Sequence, residues 1–516
     1  MNRIKRALIS VYDKTGLLPL AKALASLGIE IISTGGTAQL LKKEGVPVKE
    51  VSEITKFPEM LSGRVKTLHP NLHAGLLALR DNPEHLETLA EHNIKPIDLV
   101  VVNLYPFWDA VKSKTDEREI IEMIDIGGPS MLRSAAKNFR FVASVSDPAD
   151  YPRVVEELKK NNGHLNDGTR RELAAKVFRL TARYDGLIQN YLSNGKTSSA
   201  AEIFPDKLTL DFEKAQDLRY GENPHQRGAL YREKSDGHGV VKAEKLHGKE
   251  LSFNNILDLD AAWEMVNAFQ EPACGIIKHM NPCGFAVGRD AASAFRSAHA
   301  CDPLSAFGGI IGFNGKVDAK TAKLILDSGF VECVIARGFD GAALDLLKSK
   351  KNLRVLSAPG AGPGMRYDFK KVGGGLLLQE TDAKDPSAQD LKCVTKLKPK
   401  KNEVADLLFA FKVCRYVKSN AIVIAKGGAT LGLGMGQPSR VDSCHTAFRK
   451  AAKRAKGAVL ASDGFFPKAD SIALAKKYGI RSIIQPGGSV QDPEVIAACD
   501  KAKISMLFTG IRHFRH

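Results

Sequence analysis

The amino-acid sequence predicts an α/β fold with more than one domain, on three observations. The chain has 516 residues, 44% of them hydrophobic, which is more than a single core ordinarily serves. Its amino-terminal part alternates short apolar runs with helical patterns, the order of a parallel sheet covered by helices. The same alternation resumes after residues 193–205, a stretch with Asn194, Gly195, Ser198 and Ser199 and no apolar periodicity. That stretch reads as a linker, with a boundary near residue 199.

In the first domain residues 7–11 read as a buried strand, 17–27 as a helix closed by Gly28, 29–33 as a strand and 38–44 as a helix closed by Gly45. Glycine just past a helix supplies the left-handed residue that ends it. Residues 99–104 and 141–145 are further strands, and 170–192 a long helix. Beyond the boundary, helix 259–269 precedes strand 275–278, and helix 291–300 precedes strand 309–313. Residues 421–436 read as two strands joined at Gly427 and Gly428, followed by a helix over 441–455. Strands at 458–461, 483–485 and 506–508 close the chain, each with a helix before it. Two similar α/β halves are compatible with this order, although it does not demonstrate them.

The 75 Lys and Arg against 58 Asp and Glu leave a formal charge of +17 and a pI near 9.3. Such an excess attracts anions, whether nucleotides, folates or nucleic acids. A basic nucleic-acid-binding protein is therefore the alternative to an enzyme, but the cations are spread through all regions and no aromatic-rich RNA motif is present. No run approaches the roughly 18 apolar residues of a membrane span, and the apolar run at 7–11 is too short for a signal peptide. A soluble, cytoplasmic protein is expected. The eight cysteines include no C-x-x-C pair and read as reduced thiols rather than a disulfide or zinc framework.

Residues 33–37, Ser-Thr-Gly-Gly-Thr, lie between a strand and a helix, where backbone N–H groups, the helix dipole and hydroxyls cradle a phosphate. A glycine turn with a threonine cap has the same composition. Ser10 and Lys14 favour the cradle, because loops after neighbouring parallel strands meet at one edge. The segment GRVKTLHP, 63–70, sets Arg64, Lys66, Thr67 and His69 between Gly63 and Pro70; taken singly, each cation reads as part of a solvated loop. The segment DIGGPS, 125–130, reads as a loop feeding a helix with Pro129 at its first position. Met131, Leu132, Ala135, Ala136 and Phe139 make that helix's apolar stripe, with Ser130, Arg133, Ser134 and Lys137 opposite. Arg133 and Lys137 repel at i, i+4, and a bound anion would relieve them.

In the second region LRYGENPHQ, 218–226, crowds hydrogen-bonding groups around a turn. KHMNPCG, 278–284, follows a strand and sets the His279 imidazole beside the Lys278 ammonium, a base with an oxyanion partner. Pro282-Cys283 invites a zinc deaminase reading, whose signature is H-x-E followed by P-C-x-x-C. Ala286 stands where the second Cys belongs and no Glu follows His279 by two, so that reading is set aside. DPLSAFGG, 302–309, and SDGFFP, 462–467, could each present aromatics at a pocket or bury them. Gly432, Gly434 and Gly436 sit in an expected strand pair rather than a strand-to-helix turn, which rules out a dinucleotide fingerprint. The terminal RHFRH, 512–516, is either a frayed basic tail or a terminus folded into a site.

Taken together these segments resemble one family closely, the bifunctional purine-biosynthesis enzymes that join aminoimidazole carboxamide ribonucleotide (AICAR) formyltransferase to inosine monophosphate (IMP) cyclohydrolase. The resemblance runs nearly end to end, in order, through STGGTA, GRVKTLHP, NLYPF, DIGGPS, LRYGENPHQ, KHMNPCG, DPLSAFGG, YVKSNAI, SDGFFP and RHFRH. It implies a methylglyoxal-synthase-like domain over 1–199 that closes the purine ring. It also implies a duplicated cytidine-deaminase-like α/β/α region over 200–516, with halves split near 375–400, that transfers formyl.

For cyclisation the resemblance implies Lys66 at the oxyanion, Asp125 and Lys137 in proton transfer and carboxamide polarisation, and Tyr105 in positioning. Ser10, Lys14, Thr34, Gly36, Thr37, Arg64, Thr67 and Gly127 would hold the ribose phosphate and ring. For formyl transfer it implies His279 for the proton, Lys278 as electrostatic partner and Asn420 at the formyl group. Arg219, Tyr220, Arg512, Phe514 and His516 would bind the nucleotide, and Phe307 and Asp463 would border the folate. The ligands implied are AICAR, formyl-AICAR, IMP and the cosubstrate 10-formyltetrahydrofolate, with no tightly bound cofactor, no zinc and no nucleic acid or membrane partner; a monovalent cation is left open. A homodimer is implied, with the formyltransferase site formed across its interface. Lys468, Pro438 and Arg183 depart from the usual bacterial wording, and none is a proposed catalytic residue.

Overall fold

The computed structural model describes residues 3–114, 116–194, 204, 207–233, 239–360 and 367–516. The chain forms two compact units, Met1–Leu210 and Asp211–His516; the boundary expected near residue 199 lies outside the described residues.

In the first unit a parallel sheet runs in the order Lys49–Glu50, Glu30–Ser33, Arg6–Ser10, Leu99–Val102, Ala143–Val145. Its strands are near-continuous apolar runs because helices cover both faces. The period of two sorts their side chains. Ile9, Ile31 and Val101 pack with Leu17, Leu20 and Leu24 of the helix Leu17–Ser26. Leu8, Ile32 and Val100 pack on the other face with Met131, Leu132, Ala135 and Ala136 of the helix Gly127–Lys137. Strand order reverses at Arg6–Ser10, so the loops that follow it and its two neighbours open a crevice at the carboxyl ends of the strands.

Two helix starts differ from expectation. The helix expected from residue 38 begins at Gly35, since Thr34 is extended and its carbonyl already accepts the N–H groups of Thr37 and Ala38. The helix expected to start at Pro129 begins at Gly127, which makes proline its third residue. Proline is tolerated there because N–H groups in the first turn have no intrahelical acceptor.

The second unit is built on a twelve-stranded sheet. Its order is Lys392–Cys393, Ser505–Phe508, Ser482–Gln485, Val459–Ser462, Ile422–Lys426, Ala429–Gly434, Asn281–Val287, Ala273–Lys278, Ile310–Phe313, Cys333–Ala336, Arg354–Ser357, Glu244–His247. Read outward from the middle, the two halves repeat. Each has a helix (Phe253–Asn267, Lys401–Cys414), an antiparallel hairpin, a second helix (Ala291–His299, Arg440–Ala451), then strands alternating with helices.

The hairpins share a register: Lys278 pairs with Asn281 and Lys426 with Ala429 at their ends, and Ile276 with Gly284 and Ile424 with Gly432 beyond an irregularity in each. At the centre Thr430 Oγ1 accepts the Phe285 N–H at 2.9 Å and donates to the Phe285 carbonyl at 3.1 Å. Gly284 and Gly432 are glycines because helices approach closely: a β-carbon there would stand 2.0 Å from the Ala298 carbonyl oxygen and 2.2 Å from that of Ala447. All eight cysteines are free. No described helix is long and apolar enough to cross a membrane.

Candidate functional sites

The first unit's crevice gathers most of the residues singled out there. The Ser10 and Thr34 hydroxyls share a 2.8 Å hydrogen bond. Thr37 Oγ1 accepts the Val11 N–H at 3.3 Å and donates to the Val11 carbonyl at 3.0 Å, which locks the first strand's loop to the helix Gly35–Lys43. Lys14 Nζ donates to Thr37 Oγ1 at 3.1 Å and to the Val11 carbonyl, both neutral oxygens. Burial pulls this ammonium below the usual lysine range, so a bound anion would lower its cost. Gly36 lies in the first turn of that helix, and among the described residues the Gly35 and Gly36 N–H groups have no protein acceptor.

Above the turn, Lys66 Nζ stands 3.7 Å from where a β-carbon on Gly35 would lie. Thr67 is buried, with its hydroxyl against the α-carbon of Gly127. Arg64 is exposed and pairs with Glu122 at 3.0 Å. Asp125 Oδ1 accepts the Gly128 N–H at 2.8 Å. Burial pushes its carboxyl above the ordinary range, opposed by backbone hydrogen bonds from Gly128 and Tyr105 and by the Lys66 charge. Burial, then the charge of Asp125, raises Tyr105 likewise. Tyr105 meets Tyr12 edge-on, ring centroids 5.6 Å apart.

In the second unit the imidazole–ammonium pair lies on the first hairpin. Lys278 ends its first strand and donates to the Phe307 carbonyl at 2.7 Å; His279 is exposed in the turn. The segment KHMNPCG therefore runs on into a second strand. Asn281 joins this turn to the loop carrying Asn420, since its Nδ2 donates to the His279 carbonyl at 3.1 Å and its Oδ1 accepts the Lys418 N–H at 3.3 Å. The terminus is folded in: Ser419 N–H donates to the Arg515 carbonyl at 2.9 Å, and the Arg515 N–H to Ser419 Oγ at 3.1 Å. Arg512 lies 4.3 Å over the Phe514 ring, Phe514 abuts Gly464, and Lys370 Nζ reaches the His516 carbonyl at 3.1 Å. Arg219 stacks on Tyr220 at 4.7 Å at the end of the strand Phe212–Leu218. Phe307 is 57% exposed and meets Phe330 at 5.7 Å.

Comparison with known proteins decides the family. The model of the AICARFT/IMPCHase bienzyme matches residues 135–450, and that of the MGS-like domain matches 16–130. The chain is 52% identical over 513 residues to the bifunctional purine biosynthesis protein PurH of Thermoanaerobacter sp., covering 99% of this chain and 100% of that one. It is 52% identical over 526 residues to PurH of Neisseria gonorrhoeae, covering 100% of both. The chain belongs to the AICARFT/IMPCHase bienzyme family. A solved chain, ForH, aligns over 36% of this chain and 97% of its own length at 37% identity, with a TM-score of 0.33.

Within this bienzyme three more of the implied residues have definite places in the fold. Lys137 closes the helix that Gly127 opens, and ten residues at 1.5 Å each put it about 15 Å from the Asp125 end. Asp463 is fully buried rather than on a folate rim; it pairs with the Arg440 guanidinium and accepts from Ser419 Oγ at 2.6 Å. A carboxylate there is kept because both oxygens have charged or hydroxyl donors. The Asn420 amide donates to the Gln437 and Pro438 carbonyls at 2.8 and 2.9 Å and accepts from Arg440 at 2.7 Å, so its side chain organises the loop.

Sequence reasoning missed Asn103, whose Oδ1 takes the Tyr12 and Asp13 N–H groups at 2.6 and 3.0 Å. It also missed Tyr184, whose hydroxyl accepts the Asp125 N–H at 2.8 Å, and Asp258, Asn281, Ser419 and Arg440. Asn103, Asn281 and Ser419 lie inside quoted motifs. Tyr184, Asp258 and Arg440 carry no local signal. Among the described residues no group of three His, Cys, Asp or Glu is placed to hold a metal ion. Burial pushes the Cys283 thiol up to about 12.

Proposed function

We propose that the second unit transfers formyl from 10-formyltetrahydrofolate to the amine of AICAR, and that the first closes formyl-AICAR to IMP with loss of water. The observation that carries the reading is the convergence of Lys66, Tyr105 and Asp125 beside an anion cradle of Ser10, Lys14, Thr34 and Thr37, in a chain of this family. In cyclisation the carboxamide nitrogen attacks a formyl carbon in the same molecule. The site's task is orientation and stabilisation of the developing oxyanion. Lys66 supplies the cation at that oxygen. Asp125, its pKa raised by burial, exchanges the proton, and Tyr105 positions the base ring.

Formyl transfer is harder, because the attacking amine is conjugated with the ring carboxamide. His279 takes the amine proton as the new C–N bond forms, Lys278 stabilises the tetrahedral oxyanion, and the folate nitrogen leaves with a proton. Asn420, held by Arg440, shapes the formyl pocket. Arg219, Tyr220, Arg512, Phe514 and His516 bind the nucleotide, and Phe307 borders the folate. Asp463 braces Arg440 rather than touching folate. A homodimer belongs to this reading.

The test supplies AICAR and 10-formyltetrahydrofolate to the purified protein and follows IMP. Formation of neither formyl-AICAR nor IMP sinks the reading. Tight, salt-sensitive RNA binding without turnover would favour the nucleic-acid alternative.

A further inference from the structure

The two halves of the second unit carry the same hairpin with different turns. In the second half the turn is Gly427–Gly428, with φ of 60° and 69°. A two-residue turn with both φ positive is one in which glycine and asparagine are usual, because neither is penalised as a bulky side chain is. In the first half the same turn is His279–Met280, with φ of 54° and 59°. Side chains there are strained, and such strain persists only where the surroundings hold it.

What holds each turn is one aspartate, the sixth residue of the preceding helix. Asp406 accepts the Gly427 and Gly428 N–H groups at 2.9 and 3.0 Å. Asp258 accepts those of His279 and Met280 at 3.1 and 2.6 Å. Hydrogen bonds to an ionised acceptor are roughly twice as strong as neutral ones. One device is thus used twice, once on a turn that needs little help and once on a turn that carries the imidazole.

We infer that Asp258 is a positioning residue for formyl transfer: its carboxylate fixes the left-handed His279–Met280 turn and so aims the His279 imidazole, while Asp406 does the same work at a turn with no reacting side chain. The inference rests on the proposed role of His279. The turn's other tie, Asn281, leads to the Asn420 loop, so misalignment of the turn also displaces the imidazole relative to that loop.

The internal duplicate supplies the control. In the full-length protein, Asp258→Asn keeps an acceptor but puts an N–H₂ against one of the two donors. It should lower kcat of formyl transfer by about 10- to 100-fold, the scale of a misplacement near 1 Å. KM for AICAR should change little, and the inflection of the kcat–pH profile should stay where it was, because Asp258 orients and does not carry the proton. Asp406→Asn, which makes the same change at the glycine turn, should leave kcat unaltered even where it lowers Tm comparably.

Met280→Gly, which relieves one strained φ, should recover part of the kcat lost in Asp258→Asn; if that variant does not fold, Asp258→Glu takes its place in the same series. Equal kcat values per folded enzyme for the Asp258 and Asp406 variants would overturn the inference, as would a Met280→Gly rescue of Tm with no recovery of kcat. His279→Ala separates the two layers: if it leaves formyl transfer intact, the role of His279 falls and the inference with it, whereas loss with His279→Ala but not with Asp258→Asn sinks the positioning role alone.

Discussion

Asp125 illustrates how a group proposed to react costs the fold something. Its carboxyl is raised above the ordinary 3.8 chiefly by burial, so the folded protein holds that proton more tightly than the unfolded chain does. The sign follows: stability from this group is greatest below the ordinary carboxylate pKa and declines as pH rises through the raised value. Asp125→Asn keeps an acceptor for Gly128 and removes the buried charge. We expect Tm at pH 7 to be unchanged or higher while cyclisation of supplied formyl-AICAR falls by about 10²- to 10⁴-fold. Melting curves and an IMP assay on the same preparation check both; a lower Tm with normal cyclisation would contradict the assignment. Single residues were partly legible in the sequence. Lys66 and Asp125 stand in dense motifs, but Tyr184, which orients Asp125 from the helix Asp167–Asn194, lies in a sequence that any amphipathic helix could carry.

At the scale of elements, close approach and buried charge decide what a strand or helix tolerates. A β-carbon on Gly284 would meet the Ala298 carbonyl at 2.0 Å, backbone that cannot turn away. Gly284→Ala should therefore cost about 1–3 kcal/mol by overpacking, read as a lower denaturation midpoint, whereas an alanine at the open Gly186 position should not destabilise. On the helix Phe253–Asn267, burial beside Glu264 pushes the Asp260 carboxyl up to about 6, with Arg515 opposing. Its folded pKa exceeds the ordinary 3.8, so stability from this group is fully present below about 4 and lost as pH rises through about 6. Asp260→Asn should raise Tm more at pH 7.5 than at pH 5, and a constant difference across that range would refute the burial argument. Strand and helix identities were legible from their periods. Helix starts at Gly35 and Gly127 were missed by two or three residues, because where a backbone carbonyl closes the first turn is a local three-dimensional event.

For the whole molecule the expectation is two chemistries on one chain. His279→Ala should lower formyl transfer by about 10²- to 10⁴-fold and leave cyclisation of supplied formyl-AICAR near normal; Lys66→Ala should do the reverse. Equal loss of both activities in either variant would argue against two sites. If Lys137 acts on a second copy, mixing inactive Lys66→Ala and Lys137→Ala proteins should restore some cyclisation, since one site of a mixed dimer then holds both lysines. No recovery after subunit exchange would remove Lys137 from the shared site.

The sequence alone determined the α/β class, the parallel first sheet, the free thiols and the motif segments that mark the family, because apolar period and motif composition are local properties of the chain. Tertiary structure alone decided the burial of Asp463 against Arg440, the engagement of the Asn420 amide and the clamp of Asp258 on His279–Met280. Each of those depends on groups far apart in sequence meeting at hydrogen-bond distance, and periodicity carries no information about which distant residues meet.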